Sequence, residues 1–103
     1  MENNLFTKDL IERADFYCRT MEDLTGIDPK DQSHRRYTVA CRAIIAWTLF
    51  QDGFTLQTIG GYFGLSHCSV VHYRHKVETM FQYPNGFRRE LRVYDEFQRR
   101  IAA

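Results

Sequence analysis

The run Ser66-His67-Cys68-Ser69, followed by His72, Arg74, His75 and Lys76, gathers small polar, imidazole and cationic side chains into one short stretch. Hydroxyls and imidazoles at the start of such a stretch can donate to or accept from nucleic-acid base edges. Arginine, lysine and histidine further along can reach phosphate oxygens. The same stretch carries a second pattern: Cys68, His72 and His75 stand at i, i+4 and i+7, which on a helix puts one soft sulfur and two imidazoles on a single face. A zinc centre needs a fourth ligand, or a catalytic water with a general base, and the sequence supplies no carboxylate on that face. DNA contact or packing is therefore the preferred role, and no metal is assigned. No Ser-His-Asp or paired-carboxylate arrangement is visible, so no catalytic residue or cofactor is assigned and the chain is not read as an enzyme.

The elements that must position these residues are read from hydrophobic spacing. Thr55 to Phe81 reads as a short helix, a glycine-bearing turn and a second helix whose first turn is polar. This is the simplest device for placing a helix N-terminus in the major groove of duplex DNA. Thr55 opens the first helix, with Leu56, Ile59, Tyr62 and Phe63 as its apolar face, and Gly64 breaks it. Ser66 opens the second, with Val70, Val77 and either Met80 or Phe81 inside. The free backbone N–H groups and positive dipole end at Ser66–Ser69 suit phosphate oxygens.

Upstream, Thr7 can cap a helix from about 8 to 20, with Leu10, Ala14, Tyr17 (or Cys18) and Met21 as one buried stripe. Thr20 with Asp23 imitates a capping box, and Gly26 ends a short further turn of helix. IDPKDQSHRR then reads as an exposed loop. From about 37 to 51, the positions Val39, Ala40, Ala43, Ile44, Trp47 and Phe50 predict a central helix stopped by Gly53. After a turn at Pro84-Asn85-Gly86, Phe87, Leu91, Tyr94 and Ile101 stripe a final basic helix. The spacing predicts an all-α fold of about five to six helices in one domain over 1–103, with a core at 8–81 and an additional C-terminal helix at 87–102.

Charge and composition bound the function. The net charge of +1 over 103 residues conceals an asymmetry: residues 1–32 hold 8 acids and 4 bases, whereas residues 33–103 hold 5 acids and 10 bases. A basic portion supplies the sequence-independent attraction on which DNA binding is built, and an acidic portion tends to face away. The arginines of the last helix, Arg88, Arg89, Arg92, Arg99 and Arg100, are read as a solvated face. Glu12, Asp15, Glu22 and Asp23 make the first helix acidic, a face a protein partner could use. No apolar run resembles a signal peptide or a membrane span, and a cytoplasmic protein is expected. Three cysteines without a CxxC pair point to free thiols, mostly in the core.

The stretch RRYTVACRAIIAWTLFQDGFTLQTIGGYFGLSHCSVVHYRHKV resembles the C-terminal DNA-binding domain of the bacterial replication initiator DnaA, which has a Trp-repressor-like helical fold. The resemblance is most specific at IGGYFGLSHCSVVHYRHKV and fainter at LIERADFYCRTMEDL. It implies that Ser66, His67 and Cys68 match base-reading positions and that Ser69 and His72 match phosphate-contacting ones. Arg42 matches a DNA-touching basic residue, and His34, Arg35 and Arg36 align with a basic loop that enters the minor groove. Gln57, Arg74, His75 and Lys76 complete the expected DNA-binding set.

Two departures stand out. Leu65 and Ser66 replace the family's Gly-Arg-Asp with one residue fewer, and Cys68 replaces its motif threonine. The glycines never form GxxxxGK[ST], so no nucleotide is expected to bind. The implied function is a stand-alone, sequence-specific binder of double-stranded DNA. It would serve as a transcription regulator or a DNA replication accessory of a bacterium, phage or mobile element. The alternative is a protein-interaction module that keeps the fold without binding DNA.

Overall fold

Apolar residues at three- and four-residue spacing fold the chain into helices joined by short turns and, before the second helix, by a longer loop at 26–35. The computed structural model describes residues 2–103, with side chains from Lys8 onward. In chain order the elements are α1 (Glu2–Thr25), α2 (Arg36–Gln51), α3 (Leu56–Phe63), α4 (His67–Gln82) and α5 (Arg88–Ala102), with a 3-10 turn at Pro84–Gly86. Among the described residues there is no strand, and the fold is all-α as expected.

Helix α2 is central because the other helices cover it. Ala40, Cys41, Ala43, Ile44, Ile45, Ala46 and Leu49 are all buried, a run too continuous for one amphipathic stripe. Val39, Trp47 and Phe50, read from the spacing as core, lie half-buried at its margins. Asp52 and Gly53 close the helix by donating to the Thr48 and Phe50 carbonyls, and Gly53 takes a φ of +102°.

Helix α1 runs farther at both ends than its apolar stripe predicted. Leu10, Ala14, Tyr17, Cys18 and Met21 are buried, with Tyr17 and Cys18 both inside. Thr7 lies within the helix and not at its start, and its side chain falls outside the described part. The capping box expected at Thr20 does not form. The helix continues through it, and the Thr20 hydroxyl donates back to the Phe16 carbonyl at 2.8 Å. Gly26, at φ +76°, is the true stop, where its amide donates to the Glu22 carbonyl.

Helix α5 is more than an appendage. Its Phe97 is fully buried and meets the Tyr17 ring edge-on at 5.6 Å between centroids. Burial of such a ring contributes about 1.5–3 kcal/mol. The stripe read from the spacing, Phe87, Leu91, Tyr94 and Ile101, is only half-buried, and the residues that seal α5 are Phe97 and Glu90. No helix is long and apolar enough to cross a membrane among the described residues.

Candidate nucleic-acid interface

Helices α3 and α4 meet through a tight turn over Gly64–Ser66. Thr55 caps α3 by accepting from the Thr58 amide at 3.1 Å, and Ser66 caps α4 by accepting from the Ser69 amide at 3.2 Å. Gly64 adopts φ +69°, which a side chain would disfavour. Gly60 meets a different demand. The Leu65 amide donates to the Gly60 carbonyl at 2.8 Å, bringing the turn so close that a Cβ on Gly60 would lie 2.6 Å from the Leu65 carbonyl oxygen. Two glycines thus serve one turn, one for its dihedral angle and one for its proximity.

The first turn of α4 faces solvent. Ser66, His67 and Cys68 are exposed, and Ser69 is half-buried. Ser66 spends its oxygen on the cap, leaving the amides of His67 and Cys68 without an intrahelical acceptor at the positive end of the helix. The inner face, Val70, Tyr73, Val77 and Met80, packs on the core, while Phe81 stays 42% exposed. Of the two residues left open by the spacing, Met80 is therefore the buried one.

Beside this tip lies the loop before α2. His34, Cys68, Ser69 and His72, with Val39 and Tyr73, line one shallow groove of about 420 Å³. Lys76, one turn beyond His72, shares that flank by helical periodicity and is half-buried. Arg35 is exposed at the N-terminal boundary of α2. These are the residues of the expected set that the fold brings together.

The remaining members go elsewhere. Arg42 is a correction: it is 3% exposed, beneath the loop and not on a surface that could touch DNA. Its Nε donates to the Pro29 carbonyl at 2.9 Å, its Nη1 to the Tyr73 hydroxyl at 2.9 Å, and its Nη2 to the Asp31 and Ser33 carbonyls. Arg36 points to the C-terminal helix, donating to Glu90 and to the Gly86 carbonyl. Arg74 stacks at 5.0 Å over Phe50, at the C-terminal end of α2, with its Nε buried and unbonded. Gln57 is exposed on the first turn of α3.

His75 pairs with Glu78 at 3.1 Å, a carboxylate on that face that the sequence reading passed over. Even so, the described residues hold no group of three or more His, Cys, Asp or Glu side chains placed to bind a metal. Tyr73, absent from the expected set, lines the groove and anchors Arg42. Its spacing between Val70 and Val77 was the signal for an inward-facing position.

Of the three thiols, Cys18 and Cys41 are buried and Cys68 is exposed. Burial pushes the Cys41 thiol up to about 11 and raises that of Cys18 as well. Compared with models of protein families, with curated proteins and with solved structures, the chain has no match.

Proposed function

We propose that the chain is a sequence-specific binder of double-stranded DNA, with α3, the Gly64 turn and α4 acting as a helix-turn-helix in a Trp-repressor-like arrangement. The observation that carries this reading is the solvent-facing, capped N-terminal turn of α4, flanked across one groove by His34 of the loop, with exposed Arg35 next to it in the chain. His67 and Cys68 read base edges, and Ser69, His72 and Lys76 approach phosphates beside them. The loop cations supply the sequence-independent attraction. The resemblance to the DnaA C-terminal domain supports the same reading, under which the chain would act in replication or transcription control in the cytoplasm.

Selection from a random duplex library, followed by salt titration, tests the reading. A binder enriches a motif and loses affinity with a log-log slope of about −0.9 per neutralised phosphate. Absence of affinity for any duplex at about 50 mM salt overturns the proposal.

One observation favours a second reading, a protein-interaction module. Helix α1 exposes Ile11 (44%) and Phe16 (42%) among its acids, and a cleft lined by Asp9, Glu12, Phe16 and Ile101, with Arg13 paired to Asp52 at 3.5 Å, opens beside it. A module of that kind binds a basic, partly apolar partner and has no duplex affinity.

A further inference from the structure

We propose that Arg42 is a positioning residue, holding the His34–Arg35 loop at a set distance from the tip of α4 before any ligand arrives. The inference rests on the DNA-binding reading for its consequence but on geometry for its mechanism. One planar guanidinium spans three carbonyls of a single loop, at Pro29, Asp31 and Ser33, and the hydroxyl of Tyr73 on α4. Five N–H groups in a fixed fork can serve four acceptors at once, whereas the three donors of a lysine ammonium radiate from a single point. Its plane also lies toward the Tyr73 ring, 5.9 Å from Cζ to the centroid, so loop and helix are joined through one side chain.

The rest of the loop shows why such a clamp is needed. Its first half is otherwise held: Pro29 is buried, and Lys30 pairs with Asp15 at 3.6 Å while lying over the Tyr62 ring. Its second half has bonds of short reach, from the Ser33 amide to Asp31 and from the Arg35 amide to Ser33. Among the described residues, the hydrogen bonds that reach Asp31 and Ser33 from outside the loop come from Arg42. Without them the segment bearing His34 and Arg35 pivots between Pro29 and the start of α2. No carboxylate lies within ion-pair distance of Arg42 among the described residues, and its charge faces the loop carbonyls and the Tyr73 hydroxyl and ring. That leaves a buried cation under the groove, adding to the potential that draws a phosphate there.

The test uses the full chain without and with DNA. Trypsin cuts after Lys30 and Arg35 report loop opening directly, because cleavage tracks the open population when reclosing is fast. Arg42→Lys is expected to keep the helical circular-dichroism signal while speeding cleavage at these two sites roughly tenfold or more. On a random duplex it weakens binding by a similar factor. Tyr73→Phe, which removes one acceptor and leaves the loop carbonyls bonded, accelerates cleavage about threefold and serves if the lysine variant fails to fold. Unchanged cleavage in both variants overturns the inference, whatever DNA does. A wild-type chain that binds no duplex, yet shows the cleavage increase, overturns the proposed function and leaves the clamp intact.

Discussion

The Arg36 guanidinium donates through Nε to Glu90 Oε2 at 3.0 Å, joining the first residue of α2 to the start of α5. The two partners are unequal: the Arg36 side chain is 64% exposed, whereas that of Glu90 is 7% exposed. Loss of the arginine leaves a carboxylate that water barely reaches. Arg36→Ala should destabilise the fold by about 1–3 kcal/mol, mostly from the unsatisfied acid. Glu90→Gln should soften that loss, so a double-mutant cycle by urea unfolding reads their coupling; additive effects would remove the pair. In DNA titrations, a salt slope shallower by about 1 would give Arg36 a phosphate contact as well.

The turn between α3 and α4 makes separate demands on two glycines. Gly64→Val forces a β-branched residue to φ +69° and should cost about 1–3 kcal/mol. Gly60→Ala pushes a methyl against the Leu65 carbonyl and should cost about 1–3 kcal/mol through overpacking. Thermal melts equal to wild type for either would show that the turn can relax.

Only one thiol should react in the native state. Cys68 is exposed, so a disulfide reagent at neutral pH should titrate one equivalent quickly, and Cys18 and Cys41 only in denaturant. Modified protein should lose duplex affinity, since the adduct occupies the tip of α4. Full affinity after stoichiometric labelling would take Cys68 out of the interface.

His67→Ala should cost about 1–3 kcal/mol on a selected site and flatten sequence preference. Equal weakening on random duplex would remove its base-reading role.

The Tyr62 hydroxyl donates to Asp15 Oδ1 at 2.6 Å, and this bond, aided by Lys30, holds the carboxyl below its ordinary range. A folded-state value below the unfolded one contributes stability that is present above the unfolded value and lost as pH falls through the folded value. The melting temperature should therefore drop on acidification below about pH 4. In Tyr62→Phe that drop should be shallower, and parallel profiles would show that the bond does not matter to stability.

Helix positions were legible in the sequence wherever local chemistry decides them. Thr55 and Ser66 cap as read, and Gly53 and Gly64 stop their helices, because caps and left-handed turns depend on a few adjacent residues. The Thr20 box failed for the same reason: a local pattern cannot tell the start of a helix from its middle. Phe97 and Glu90 were missed because their burial depends on α1 and α2, which no periodicity within α5 reveals. Arg42 was the largest error in the candidate site. A lone arginine is by default a surface residue, and only the fold shows three loop carbonyls converging on it.

The Tyr17–Phe97 contact sets an order on biosynthesis. During synthesis α1 emerges before α5, so the Tyr17 ring lacks its edge-on cover until the closing phenylalanine has been made. A chain truncated before Phe97 is therefore expected to be cut by proteases faster than the full chain.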